Sequence, residues 1–212
     1  MAKSMPDLSF EREAFARGAA SVAGVDEAGR GPLAGPVIAA AVRLRPQALP
    51  EGLNDSKQLT ARHRARLFDL LSAAAEIGIG EASVEEIDRL NILRASHLAM
   101  RRALEALRPA PDLALIDGNS LPDELPCPAR PIVRGDTLSL SIAAASIVAK
   151  VTRDRIMKEL ARDFPGYGWE RNAGYPTREH LAALKRLGPS PHHRRSFRPV
   201  HNILCEVQSL SR

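Results

Sequence analysis

The sequence predicts an α/β protein, a mixed sheet flanked by helices, and three features carry that expectation. Two short apolar runs, residues 22–25 and 37–42, flank a segment rich in Gly and Pro, the pattern of strand, turn and strand. Further short apolar runs then alternate with stretches of helical periodicity. The chain has 212 residues, 44% of them hydrophobic, which suits one domain, or one domain with a small extension, around a sizeable core.

Taken in order, residues 1–17 predict a loose start and a short helix that Leu8, Phe10 and Phe15 can dock. After the opening hairpin, residues 43–55 form a connection bearing Pro and Gly. Thr60 is placed to cap a helix running to about Ala75. Leu67, Leu70 and Leu71 recur on it at helical spacing, with Arg62, Arg64 and Arg66 on the outer face. Residues 77–82 predict a strand. Ser83 and Glu86 form a capping-box pattern that opens a long helix to about Leu107, ended by Pro109 and Pro111. Residues 113–116 form a strand that delivers Asp117 to the Gly118-Asn119 turn. A proline-rich loop over 121–131, a brief strand at Ile132-Val133 and a turn at Gly135-Asp136 follow. Residues 139–161 predict a helix whose small-residue opening, Ser141 to Ser146, admits close packing. Residues 163–175 read as a loop holding Trp169 and both tyrosines, Thr177 caps a last clear helix to about Leu187, and 189–198 is a basic segment. No internal repeat or low-complexity tract occurs.

Composition bounds the function. A charged fraction of 26% is ordinary, and a net charge of +5 with a pI near 9.7 permits a polyanionic partner. Cys127 and Cys205 lie outside any metal-ligand spacing and suggest a reducing compartment. Residues 1–18 mix acids with bases, unlike a signal peptide, and no apolar run approaches the ~20 residues that span a bilayer. The expectation is a cytoplasmic, monomeric enzyme or binding protein without a membrane partner.

The most informative stretch is the first hairpin. Asp26 and Glu27 end its first run, and adjacent strand side chains point to opposite faces, so one of these acids is driven toward the core. Burying that charge is costly unless a cation neutralises it, which a divalent metal at the strand end would do. Glycines at 29, 31 and 35 let backbone approach another molecule, and Arg30 adds a fork of donors. Asp117 and Asp136 are two more acids beside glycine at element ends. Taken singly, each is an ordinary turn or cap residue. Four together suit a pair of hard cations ~3.5–4 Å apart acting on a phosphodiester. Asp154 is a rival fourth ligand, but it follows Lys150 by four residues inside a predicted helix, where an ion pair explains it.

The run Asp26-Glu27-Ala-Gly29-Arg30-Gly31-Pro-Leu-Ala-Gly35-Pro36-Val37 resembles the N-terminal signature of type 2 ribonucleases H, specifically bacterial ribonuclease HII. Matched segments extend from Val22 to Phe197. The resemblance implies a ribonuclease H-like fold with a helical extension from about Phe164 onward. It thus divides the chain into a core over 1–163, with a short N-terminal extension over 1–20, and an extension over 164–212 that contributes substrate contacts. It implies Asp26, Glu27, Asp117 and Asp136 as catalytic ligands for two Mg²⁺ or Mn²⁺ ions, the Gly-Asp preceding Ser-Ile-Ala-Ala-Ala-Ser favouring Asp136 over Asp154. It further implies that Gly29-Arg30-Gly31 reads a ribose 2′-hydroxyl, the group that separates RNA from DNA. Tyr175 matches the tyrosine that stacks on the following deoxyribose; without the family an ordinary half-buried tyrosine is the better reading. Lys57, Ser146, Lys150, Arg194 and Arg195 become phosphate contacts, the last two from His193-Arg-Arg-Ser196-Phe197. His180 reads as a packed or capping residue, His192 and His193 as loop histidines, and Trp169 and Tyr167 as packing residues.

The resulting expectation is a metal-dependent endoribonuclease for RNA–DNA hybrids and for single ribonucleotides in duplex DNA, cut on the 5′ side to leave a 3′-hydroxyl and a 5′-phosphate. A non-catalytic nucleic-acid binding module is disfavoured because four acids repel a phosphate unless metal is present. Another two-metal nuclease of the same fold would lack the Gly29-Arg30-Gly31 and Tyr175 pair. The proline-rich loop over 121–130 departs from the family pattern, and residues 200–212 show no clamp-binding peptide.

Overall fold

The computed structural model describes residues 5–210, so residues 1–4 of the expected loose start and residues 211–212 fall outside it. Five strands form one sheet in the order β3-β2-β1-β4-β5. They are β1 (Val22–Ala28), β2 (Val37–Arg43), β3 (Glu76–Ala82), β4 (Leu113–Asp117) and β5 (Ala129–Ile132). β1 lies at the centre, antiparallel to β2, while β2 is antiparallel to β3; β1, β4 and β5 run parallel.

Alternation along β1 sorts its side chains between two cores. Ala23 and Val25 join Ala39, Ala41, Ala114 and Ile116 beneath α4 (Ile92–Ala106). The opposite face packs Ala40 and Val42 against α2 (Ala61–Ala74) and the small residues of α5 (Leu140–Asp163). Gly24 faces α5 so closely that a Cβ there would strike the backbone of Ser141 and Ile142. The small-residue opening of α5 therefore does what its composition promised, letting helix and strand backbones meet.

The register sets the site. Val25 pairs with Ile116 in parallel, so the next residues, Asp26 and Asp117, emerge side by side at the carboxyl ends of β1 and β4. That edge of a parallel pair is where α/β sheets bind ligands.

Several expectations are corrected. The single long helix from Ser83 is two, α3 (Val84–Leu90) and α4, although the Ser83–Glu86 capping box forms. Asn91 breaks it: with φ 72° it ends α3, and its side chain accepts bonds from Leu93 and Arg94 N–H to start α4. Leu70 is exposed while Leu67 and Leu71 are buried, and Arg64 donates to the Ser56 and Leu59 carbonyls rather than only covering the outer face. The last sheet strand is Ala129–Ile132, which leaves Val133 exposed. α1 (Ser9–Ala16) is anchored by more than its apolar residues. Glu11, 2% exposed, accepts bonds from Ser139 Oγ, Ser141 Oγ and Ser141 N at the start of α5.

Beyond α5 come α6 (Trp169–Asn172), α7 (Arg178–Leu187) and α8 (Arg198–Leu210). The loop over 163–175 thus contains a helical turn, and the tail carries a helix that sequence reasoning missed. Its Val200 and Ile203 pack on Leu184 and on Leu33 of the glycine-rich loop.

Asn91→Ala should destabilise the fold by about 1–2 kcal/mol, losing a double cap and straining a left-handed residue. Asn91→Gly, which tolerates that φ, should cost less; urea denaturation of both variants checks the order.

Candidate active site

Asp26 lies on the α5 side of β1 and is 4% exposed. Its Oδ1 accepts the Glu27 backbone N–H at 2.7 Å, and the Ser146 hydroxyl hydrogen-bonds to it from α5. Burial raises its pKa well above the ordinary 3.8, reinforced by the charges of Glu27 and Asp117. Asp117 is raised too, first by burial and then by Asp136. Glu27 turns to the other face, with Oε1 3.1 Å from Arg30 Nη1 and Oε2 buried without a protein partner. Asp136, in a 3₁₀ turn over Gly135–Thr137, donates its backbone N–H toward Asp117 Oδ1 at 3.4 Å and meets Lys57 Nζ at 3.0 Å.

Mutually repelling acids, one with an orphaned oxygen, form a donor set suited to hard divalent cations. Among the described residues no three acidic, His or Cys side chains lie close enough together to form a metal cage in this structure. Lys57, paired with Asp136, offsets part of the acidic charge.

The acids open onto a cleft of about 240 Å³. Asp26, Glu27 and Asp117 form one part of its wall; Gly29, Arg30, Gly31 and Tyr175 form another. The Tyr175 ring edge stands 3.4 Å from where a Gly31 Cβ would be, so glycine keeps the space beside the ring open. Lys57, Lys150 and Ser146 also line the cleft. Lys150 pairs with Asp154 at 2.6 Å, the helical ion pair expected of Asp154.

Arg194 does not occupy the place expected of a phosphate contact. It is fully buried and donates to the carbonyls of Gly29, Arg30, Pro32, Gly35 and Pro36. Arg195 is exposed but is not part of the cleft wall, and its backbone N–H binds Asp88 Oδ2. Two wall residues were missed, Ser56, whose hydroxyl lies 2.8 Å from that of Ser146, and Arg153. The spacing Ser146, Lys150, Arg153 puts all three on one face of α5, a signal available in the sequence.

Behind Tyr175 lies a buried polar chain. His180 and His193 are both fully buried, so His193 is no free loop residue. The Ser190 N–H donates to His193 Nδ1, which leaves the His193 proton on Nε2, directed at His180 Nε2 at 3.1 Å. Trp169 Nε1 donates to the same acceptor, so His180 carries its proton on Nδ1 and donates it to the Tyr175 carbonyl. Both rings are neutral. Burial, then the neighbouring His180, pushes His193 down to about 3.

Comparison with known proteins fits this geometry. Residues 23–200 match the family model for Ribonuclease HII. A Ribonuclease HII of Ruegeria pomeroyi is 65% identical over 203 residues, 96% of this chain and 87% of that protein. The crystal structure of ribonuclease H2 from Pyrococcus horikoshii superposes with a TM-score of 0.73 at 28% identity, covering 89% of this chain and 99% of that one. The ribonuclease HII in a PCNA complex from Archaeoglobus fulgidus gives 0.71 at 25% identity, covering 86% and 96%.

Two stability effects of opposite sign follow. Since the folded His193 pKa lies below its ordinary 6.5, its contribution is complete above pH 6.5 and drains away as pH falls toward 3. Melting curves from pH 7.5 to 5 should therefore slope downward, and less steeply in His193→Gln. Asp26, whose folded pKa is raised, opposes folding at neutral pH. Asp26→Asn should raise the melting temperature in chelator at pH 7.5, by an amount that shrinks on acidification.

Proposed function

Because this chain belongs to the ribonuclease HII family, endoribonucleases acting on RNA–DNA hybrids, we propose that it works through divalent metal and also cuts beside single ribonucleotides embedded in duplex DNA. The observation that carries this reading is one cleft joining the carboxylates of β1 and β4 to the Gly29-Arg30-Gly31 loop and Tyr175. Asp26, Glu27, Asp117 and Asp136 would hold Mg²⁺ or Mn²⁺, which when bound neutralise phosphate charge and acidify water.

The chain's own residues supply selectivity. Amides of the glycine loop face the sugar of the scissile ribonucleotide, and the Tyr175 ring packs on the sugar that follows. A deoxyribose is favoured there because no 2′-hydroxyl has to be stripped of water against the ring. Lys57 and Lys150 attract the phosphates, and Ser146 holds Asp26 in place. Hydrolysis on the 5′ side of the ribonucleotide leaves a 3′-hydroxyl and a 5′-phosphate. In this reading residues 164–212 extend the catalytic core and complete the substrate site by supplying Tyr175.

Duplexes carrying one ribonucleotide, a continuous RNA strand or none, each with Mg²⁺, Mn²⁺ or chelator, test the proposal. Cleavage of the first two should need metal, and the all-DNA duplex should stay intact. Asp26→Asn, Glu27→Gln, Asp117→Asn and Asp136→Asn should each nearly abolish turnover, while Asp154→Asn keeps most of it. Near-wild-type rates in any of the four would break the ligand assignment. Tyr175→Ala should slow cutting at a single ribonucleotide roughly tenfold more than cutting of continuous RNA, the scale of one unsatisfied hydroxyl. Equal losses on both substrates would make Tyr175 a general positioning residue.

A further inference from the structure

Arg153 and Arg194 are the largest buried side chains after Trp169, and both guanidinium groups are spent on backbone carbonyls. Arg194 Nη2 donates to Gly29 O at 2.6 Å, and Nη1 to Arg30 O at 3.1 Å and Pro32 O at 2.8 Å. Its Nε and Nη2 reach Gly35 O, at 2.9 and 2.8 Å. Arg153 Nε and Nη2 bind Pro36 O and Ala34 O, at 3.0 and 2.9 Å. No carboxylate pairs with either group among these bonds. Burial lowers their pKa values to about 10 and about 9, which still leaves both charged at neutral pH.

Such a fork acts on orientation. In a planar trans peptide the N–H points opposite the C=O. Drawing the Gly29 and Arg30 carbonyls inward to Arg194 therefore turns the Arg30 and Gly31 amides outward. The approach is tight enough that a Cβ on Gly29 would strike the Arg153 side chain. Five donors in a fixed plane can satisfy several divergent carbonyls at once; a lysine ammonium has three donors on a flexible stem.

We propose that Arg194, supported by Arg153, is a specificity-determining positioning residue that presets the Arg30 and Gly31 amides for the ribose 2′-hydroxyl. The proposal rests on the reading of Gly29-Arg30-Gly31 given above, and it removes Arg194 from the set of phosphate contacts. It also explains why a basic motif near the end of the chain serves a loop near its beginning.

The test compares wild type with Arg194→Lys and Arg153→Lys, which keep the charge and lose the fork. Binding is measured by fluorescence anisotropy in chelator, on duplexes with one ribonucleotide and with none. Hydrogen exchange follows the hydrogen-bonded loop amides of Leu33 and Gly35 in the same proteins without nucleic acid. Expected for Arg194→Lys is a loss of ribonucleotide preference of about tenfold, the scale of one hydrogen bond. All-DNA affinity should stay within about twofold, and exchange at Leu33 and Gly35 should quicken while β1 and α5 stay protected. Arg153→Lys should shift the same way. An unchanged preference in either folded variant, or an equal loss on both duplexes, would overturn the proposal. A wild type without any ribonucleotide preference would instead sink the reading of the loop itself.

Discussion

The parallel ladder between β1 and β4, closed over by α5, is the constraint on which the rest of the molecule depends. Pairing of Val25 with Ile116 brings Asp26 and Asp117 to one edge, and a register shift would send one acid to the wrong level of the sheet. Gly24 allows α5 to lie directly on β1, which brings the Ser146 hydroxyl to Asp26. The same helix carries Lys150 into the cleft and Arg153 beneath the glycine loop. One strand pair and one helix thus place acid, base and scaffold from a common base.

The charges are arranged with opposite logic on either side of the cleft. At the sheet edge Asp26 and Asp117 are raised in pKa by burial and by neighbouring carboxylates. The two arginines lie inside the loop, already satisfied by carbonyl oxygens and charged without a carboxylate partner in their hydrogen bonds. The acids carry unbalanced like charge, whereas the two arginines are bonded to carbonyls inside the fold. The charge of the sheet edge and the order of the glycine loop therefore come from separate sources.

Much of this was legible from local signals. The strand–turn–strand pattern around Asp26, the Ser83–Glu86 and Thr60 caps, and the small-residue face of α5 each follow from nearest-neighbour chemistry. What escaped was decided by tertiary context. Asn91 splits a helix because its side chain caps the second half, an alternative that periodicity does not register. Arg194 was expected to contact phosphate and Glu11 drew no notice, since burial of either depends on partners more than a hundred residues away. The helix Arg198–Leu210 was missed although Val200, Ile203 and Leu204 have helical spacing, because the basic residues before it suggested a tail.

The span of the arginine clamp has a consequence for how the protein is made. Arg194 meets Gly35 across 159 residues of chain, and the strand-like bridge between Ala34 and His193 is equally distant in sequence. Contacts of such separation form late, after the local helices and hairpins. During synthesis β1 and β4 emerge from the ribosome well before residues 190–194, so the clamp on the loop closes after both strands are available. A nascent chain ending before residue 190 has both strands but no Arg194 to constrain the loop over 29–36. Completion of residues 190–194 then becomes the event that fixes the carbonyls of the loop over 29–36, so loss of that segment strikes first at the order of this loop.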